Sequence, residues 1–264
     1  MKELLFDVLL MSDTRKDLLL LLKDGPKDEE TITENMGIER RPLDLQAKIL
    51  EDEYLITRDE DSGGSYMLTT IGKLLVEEME PLLKTFDVLD ANEGYWEKHR
   101  LDFLPRNLLE RLQELGPCTI VEPRLSEYYE FDKTFQEKSR VSSSFFMVTA
   151  CFHPMLISLF SELLDQKVDI SVIFSHELFE KMLSEQYSDF KCLAENKQIH
   201  FYIYQKDMHF LSFMENDYCV QFMLLTNENY FDNKQSMSCS QNALKWGKEF
   251  FEHYKKDSLQ IEEI

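Results

Sequence analysis

Basic and amide side chains cluster near residue 40 at spacings that place several of them on one face of a helix. Arg41 and Lys48 are seven positions apart, which is two helical turns. Arginine can donate two hydrogen bonds to guanine, lysine binds phosphate, and the amide of Gln46 could pair with adenine. The pattern predicts a helix that contacts duplex DNA through Arg40, Arg41, Asp44, Leu45, Gln46 and Lys48, with Arg58 from the following segment on backbone phosphate.

The same segment also fits an ordinary amphipathic helix with a solvated charged face. Leu43, Ala47 and Leu50 recur at helical spacing and predict a buried side. Tyr54 continues that apolar stripe. The chain has 50 acidic and 29 basic residues, a net charge of −21, which disfavours a polyanionic partner. Salt screens charges beyond about 8–10 Å, however, so the charges close to the contact surface determine whether the protein can bind DNA. Duplex DNA is the expected partner, with a protein-interaction module as the alternative.

Residues that could catalyse a reaction do not form a recognisable constellation. The sequence has no Gly-rich phosphate loop, no Gly-x-Ser-x-Gly and no His-Glu-x-x-His. His253 and Lys255 reproduce the His-x-Lys spacing of phospholipase D-like sites, but Gln260 stands where those sites need an aspartate. The pair also falls on a predicted helix. We therefore expect no enzymatic activity, no catalytic residues, no metal and no cofactor.

The cysteines are expected to be free thiols. There are five, they are far apart in the sequence, and none forms a Cys-x-x-Cys pair. An odd number in apolar surroundings indicates buried thiols rather than disulfides or a zinc site. The five are Cys118, Cys151, Cys192, Cys219 and Cys239.

Residues 1–80 carry the signals of four short helices followed by a β-hairpin. The helices are predicted at Lys2–Met11, Asp13–Lys23, Asp28–Asn35 and Arg41–Glu53. The strands Tyr54–Glu60 and Ser65–Thr69 flank a turn at Asp61-Ser62-Gly63-Gly64. This order is typical of a winged helix-turn-helix domain. The acidic tip of the hairpin should stay out of a minor groove.

Beyond residue 80, helical signals give way to alternating strands and helices. Helices are expected at Ile71–Leu89, interrupted near Pro81, and at Pro105–Leu115. Strands are predicted at Cys118–Val121, Ser144–Ala150, Asp169–Phe174, Ile199–Tyr204, His209–Met214 and Tyr218–Leu225, and helices at His153–Leu164, Glu177–Glu195 and Ala243–Lys255.

The fold class is therefore predicted as α+β. A winged helix-turn-helix domain spans 1–80, a helical linker 81–116, and an α/β domain with a mixed sheet flanked by helices 117–264. No apolar run is long enough to cross a bilayer, and the first residues do not have the pattern of a signal peptide. A cytoplasmic location without membrane contact is expected.

Several stretches resemble archaeal winged-helix transcriptional regulators that carry a methanogenesis-regulator middle domain. In the first half they are SDTRKDLLLLLKDGPKDEETI, KILEDEYLI and YMLTTIGKLLVEEMEPLL, and in the second YWEKHRLDFLPRNLLERLQELGPCTIVEP, FHPMLISLFSELLDQKVDISVIFS and ALKWGKEFFEHYK. The resemblance covers nearly the whole chain. It implies a regulator from a methanogenic archaeon that acts on operator DNA as a homodimer. Family members tend to carry small hydroxyl residues where this chain has Glu39-Arg40-Arg41-Pro42, so no operator sequence is implied.

Aromatic residues are numerous in the second half and could form either a core or an apolar pocket for an effector. The side chains expected near such a pocket are Phe146, His153, Tyr204 and His209. The effector could equally be a partner protein or a second copy of the chain.

Overall fold

The computed structural model describes residues 4–59, 64–92, 94–127 and 129–262. Contacts between Cα atoms divide the chain into two compact units, Met1–Leu83 and Lys84–Ile264. Each has its own hydrophobic core. No helix among the described residues combines the length and the apolar character that a bilayer crossing requires.

The first unit consists of helices and one hairpin in the predicted order. Its elements are α1 Leu5–Leu10, α2 Asp13–Leu21, α3 Glu29–Met36, α4 Arg40–Asp52, β1 Ile56–Asp59, β2 Ser65–Leu68 and the start of α5 Thr70–Asp90. The helix ends follow from local chemistry. Ser12 and Asp28 cap α2 and α3 by accepting backbone N–H groups, and Gly37 ends α3 in the left-handed region at φ 63°.

The core of this unit fixes the orientation of α4. Leu43, Ala47 and Leu50 are fully buried, as the apolar stripe predicted. The prediction was wrong for Tyr54, whose side chain is 76% exposed. This residue follows the helix with a φ of 58°, so it no longer continues the helical stripe.

Helix α5 is continuous, which corrects the expected interruption near Pro81. Proline lacks one N–H, but neighbouring turns of a long helix retain their hydrogen bonds. Near its start, Gly72 lies against Leu55, the residue that precedes β1. A Cβ there would come within 2.0 Å of the Leu55 carbonyl oxygen, so only glycine allows this approach.

The segment 84–116 belongs to the core of the second unit, which corrects the expected separate linker. Its apolar side chains, among them Trp96, Leu108 and Leu112, are buried with strand residues such as Phe222. The predicted single helix over 105–115 is instead α6 Arg106–Leu109 followed by a 3-10 turn, Leu112–Leu115.

A mixed sheet forms the centre of the second unit, as predicted, but it has eight strands among the described residues where six were expected. Its strands are β3 Thr119–Val121, β4 Ser144–Thr149, β5 Asp169–Phe174, β6 Ile199–Tyr204, β7 Ser212–Asn216, β8 Val220–Leu225, β9 Phe231–Ser238 and β10 Ser258–Gln260. The spatial order is β10-β6-β5-β4-β7-β8-β9-β3. Strands β4, β5 and β6 are parallel because helices connect them, and the other pairs are antiparallel.

Helices pack on the sheet in two separate apolar clusters. These helices are α7 Lys133–Arg140, α8 Leu156–Asp165, α9 His176–Glu185, α10 Tyr187–Ala194 and α11 Gln241–Lys256. Helix α11 contributes Trp246, Phe250 and Phe251 to one cluster, and α8, α9 and α10 contribute to the other. The single helix predicted over 177–195 is divided at Gln186, where φ is −134°.

The structure contradicts the prediction that all five cysteines are free. Cys219 and Cys239 form a disulfide, whereas Cys118, Cys151 and Cys192 are free thiols. The two cysteines are 20 positions apart in the sequence, so their spacing gave no indication of the disulfide. Because β8 and β9 are antiparallel with Val220 opposite Ser238, the next residues outward face each other.

Candidate nucleic-acid interface

Helix α4 presents two unpaired cations on the side opposite its buried stripe. Arg41 and Lys48 are both exposed. Neither forms an ion pair within the described ranges. They are two turns apart, so both point from the same exposed strip of the helix. Free guanidinium and ammonium groups in this position are available to an anionic partner.

Arg58 is held between the hairpin and α4, although 43% of its side chain remains exposed. Its guanidinium lies 4.4 Å from the centre of the buried Tyr66 ring and donates a hydrogen bond to the Tyr66 hydroxyl. It also forms ion pairs with Asp44 at 3.5 Å and with Glu51 at 3.6 Å. Arg58 therefore offsets one of the two negative charges that Asp44 and Glu51 place on α4. Burial raises the pKa of Tyr66, so its hydroxyl stays neutral beside the cation.

Arg40 is tied to the preceding helix. It forms an ion pair with Glu29 of α3, although most of its side chain is exposed. Both residues border a groove of about 570 Å³ beside the hairpin, which is also lined by Asp28 and Glu30. Three carboxylates in one groove repel phosphate, so this side of α4 is a poor surface for a polyanion.

The remaining predicted contact residues on α4 differ in their exposure. Leu45 is 62% exposed and could contact an apolar group such as a thymine methyl. Gln46 is half-buried, and its Oε1 atom is buried without a hydrogen-bond partner among the described residues. The oxygen that would accept from adenine is therefore not presented to solvent.

The turn expected at 61–64 and the acidic tip of the hairpin lie mostly outside the described residues. Asp59 ends β1, and Gly64 precedes β2 with a φ of 82°. Strands β1 and β2 pair over four residues, from Ile56 opposite Leu68 to Asp59 opposite Ser65, and this hairpin follows α4 directly in the chain.

The four side chains expected near an effector pocket do not come together. Phe146 packs on Phe251 of α11, at 4.9 Å between ring centres. His153 stacks on Phe131 at 4.1 Å, in the cluster on the other helices, and burial lowers its pKa. Tyr204 packs on Tyr254 of α11, and burial raises its pKa.

His209, the fourth of these residues, is exposed in the loop before β7. The His-x-Lys pair near the C-terminus lies on α11, with the Lys255 ammonium 5.0 Å from the centre of the Tyr202 ring. No group of three or more His, Cys, Asp or Glu side chains in the described part of the chain is arranged to hold a metal ion.

Sequence reasoning missed the residues that compensate charge around α4. Glu29 and Tyr66 each hold an arginine that was expected to face DNA. The signal in the sequence was weak, since Arg58 and its partner Asp44 are 14 positions apart. An arginine facing an aromatic residue across a hairpin, as Arg58 faces Tyr66, could have suggested the cation–π contact.

A small helical unit with a β-hairpin and exposed cations, followed by an α/β unit, is an arrangement found in regulatory proteins. The family description "Methanogenesis regulatory protein FilR1, N-terminal domain" matches residues 5–87, and "Methanogenesis regulatory protein FilR1, middle domain" matches residues 128–257. The chain belongs to this family of archaeal transcriptional regulators.

Individual relatives are distant. The chain is 20% identical over 260 residues to methanogenesis regulatory protein FilR1 of Methanothrix harundinacea (strain 6Ac), and the match covers 96% of this chain and 57% of that protein. It thus spans little more than half of the curated relative.

Among solved structures, the archaeal chromatin protein TrmBL2 has a TM-score of 0.39 at 13% identity, covering 94% of both chains. Phosphatidylserine synthase of Haemophilus influenzae Rd KW20 has a TM-score of 0.38 at 13% identity, covering 49% of this chain and 36% of that one. Neither likeness is close enough to bear on function.

Proposed function

We propose that this protein is a DNA-binding transcriptional regulator whose first unit is a winged helix-turn-helix. Helix α4 enters the major groove, and the β1–β2 hairpin is the wing that lies along the backbone. The α/β unit receives a signal that changes DNA affinity. A protein with this role would act in the cytoplasm and would need no catalytic residues.

The observation that carries the proposal is the pair of free cations on α4. Arg41 and Lys48 lie on one exposed strip, and the carboxylate between them, Asp44, is compensated by Arg58. These two cations lie on a protein whose net charge is −21, and the exposed carboxylate of Asp52 lies one turn beyond Lys48 on the same strip. Because salt screens distant charges, the local field governs the contact with phosphate and base edges.

We further propose that the protein acts as a homodimer. In the first unit, α1 exposes Phe6 by 67%, and α5 exposes Ile71 and Leu74 by 55% and 58%. Large exposed apolar side chains on helices of a small unit are candidates for a surface that a second copy would cover. A second copy would place two α4 helices about one DNA turn apart.

A protein-interaction module is the alternative, and two observations favour it. Leu45 is an exposed apolar residue in the middle of the cationic strip, and the neighbouring groove is acidic. The two functions differ in their response to salt, because only DNA binding releases many condensed counterions.

Selection from a random duplex pool tests the proposal. The full chain is expected to enrich one sequence with two half-sites whose centres are about 10 base pairs apart. Arg41→Ala combined with Lys48→Ala should enrich nothing, whereas Lys245→Ala, an exposed change on α11, should enrich the same sequence. Failure of the unmodified chain to enrich any sequence would overturn DNA recognition.

A further inference from the structure

A polar cavity of about 190 Å³ lies in the second unit, beside the segment that follows α5. It is lined by Asn92, Gly94, Tyr95, Lys98, His99, Ile120, Asp232 and Lys234. Three of these side chains can be cationic and one is a carboxylate. This balance is opposite to that of the protein as a whole, which carries a net charge of −21.

His99 forms the buried wall of this cavity. It is 4% exposed, and its ring packs on Tyr95 at 4.1 Å between centres. Its Nδ1 atom lies 2.6 Å from the Tyr95 carbonyl oxygen, and its Nε2 atom lies 3.1 Å from Asp232 Oδ2. Both oxygens are acceptors, so whichever ring nitrogen carries a proton can donate to the oxygen beside it. The contact with His99 occupies one carboxylate oxygen of Asp232, and the other oxygen accepts the backbone N–H of Lys234 at 3.1 Å.

The lysines flank the cavity with little internal compensation. Lys98 has an exposed side chain and no ion-pair partner within the described ranges, and its Nζ atom lies close to Gly94. Lys234 approaches Glu122 only at 3.8 Å, and that carboxylate is 72% exposed. Such a surface pair contributes little. Two ammonium groups are thus free to bind an anion.

We infer that this cavity, the Lys98–Lys234 pocket, binds a small oxyanion with two negative charges, such as inorganic phosphate or a short dicarboxylate. The two ammonium groups would each bind one charged oxygen, and the side-chain amide of Asn92 borders the same space. A cavity of about 190 Å³ has room for an anion of this size.

The position of the pocket in the chain suggests how it acts. Asn92 and Tyr95 follow directly on α5, which ends at Asp90 after starting in the DNA-binding unit at Thr70. An anion bound between Lys98 and Lys234 would connect the segment that follows α5, which carries Lys98, to β9, which carries Lys234. Under this inference, the signal received by the proposed regulator is a small anion with two negative charges. This part of the inference rests on the proposed function.

Isothermal titration calorimetry of the full chain without DNA tests the pocket at constant ionic strength. Inorganic phosphate and succinate are the two probes, and glycerol is the neutral control. We expect saturable binding of at least one anion and none of glycerol. Lys98→Ala combined with Lys234→Ala should weaken it at least 10-fold, whereas Lys245→Ala should leave it unchanged. The dissociation constants measured for phosphate and for succinate show which of the two anions the pocket prefers.

Equal binding by the double variant, or binding of neither anion, would overturn the site. Circular dichroism melting confirms that the variants are folded, and Lys98→Met alone, which keeps the apolar stem of the side chain, should still weaken binding several-fold. In a separate arm, the bound anion should change DNA affinity several-fold in the unmodified chain only. An anion that binds without that change would contradict the regulatory role, and lack of DNA binding would refute the proposed function without affecting the calorimetry.

Discussion

Under the proposed function, Arg58 would support the DNA-binding surface of α4 through its contacts within the first unit. The sequence suggested that it contacts phosphate, but its guanidinium is held by Tyr66, Asp44 and Glu51. Its effect on DNA would then come from offsetting one of the two negative charges that these carboxylates place on α4. At effective dielectric constants near a protein surface, an uncompensated carboxylate a few ångströms from a phosphate costs about 1–4 kcal/mol.

Arg58→Gln is expected to weaken DNA binding about 10-fold, and Asp44→Asn in the same chain should restore most of the loss. The reason is that the second change removes Asp44, which of the two carboxylates paired with Arg58 is the one between Arg41 and Lys48. Fluorescence anisotropy with the selected duplex measures both variants. If Arg58 instead contacts phosphate, the double variant will bind as weakly as Arg58→Gln alone.

Glu215 provides a test of buried charge in the second unit. Burial raises its pKa to about 8, against a smaller lowering effect of Lys248. Its Oε2 atom has no hydrogen-bond partner among the described residues. The folded form therefore keeps the proton at a pH where the unfolded form has lost it.

Stability should fall as pH rises from about 4.5 to 8, because the unfolded state then binds fewer protons than the folded state. This group contributes a decrease of up to about 1.4 kcal/mol per pH unit within that window. Glu215→Gln removes the dependence, so urea unfolding at pH 5.5 and 7.5 should give a smaller difference for the variant. An unchanged difference would show that Glu215 titrates normally.

Elements with strong local signals were predictable, and those that depend on distant partners were not. Strands β5 and β6 were predicted to the residue because continuous apolar runs mark buried parallel strands. Strand β9 was missed because its sequence, FDNKQSMS, is polar, and its pairing with β8 and β3 compensates for its weak propensity. Helix α7 is also polar and was not predicted.

The candidate site was predictable only in part for the same reason. The exposed strip with Arg41 and Lys48 follows from helical periodicity, which is a local property. The ion pairs of Arg40 and Arg58, the disulfide and the Lys98–Lys234 pocket each join residues that are distant in sequence. Periodicity and motif spacing carry no information on such pairings.

Helix α11 depends on a glycine for its close approach to the sheet. A Cβ on Gly247 would lie 2.5 Å from Val220 Cγ1 and 2.8 Å from Glu215 Oε2. Valine is stiff and cannot move away easily. Gly247→Ala should therefore lower the free energy of unfolding by about 1–3 kcal/mol, despite the better helix propensity of alanine.

Denaturant unfolding measures this change, with Lys245→Ala on the exposed side of the same helix as the control. The control should lie within about 0.5 kcal/mol of the unmodified chain. Equal or greater stability of Gly247→Ala would mean that α11 can move away from β7 and β8 without loss.

At the scale of the whole molecule, the proposed homodimer would double the number of α4 cations that can contact DNA. Phe6→Asp together with Leu74→Glu places charges on the exposed apolar residues of α1 and α5. We expect a homodimer in the unmodified chain and a monomer in this variant, because burying unpaired carboxylates is costly. Size-exclusion chromatography with light scattering gives both masses. A monomeric unmodified chain would exclude this interface.

The salt dependence of binding to the selected duplex tests the central claim most directly. The affinity of the unmodified chain should fall steeply with salt. The residual, sequence-independent affinity of Arg41→Ala with Lys48→Ala for the same duplex should give a slope of log K against log salt that is shallower by roughly 3–4, because the proposed dimer loses about four cationic contacts at about 0.9 each. A slope that is flat in the unmodified chain, or identical in the variant, would contradict a DNA interface on α4.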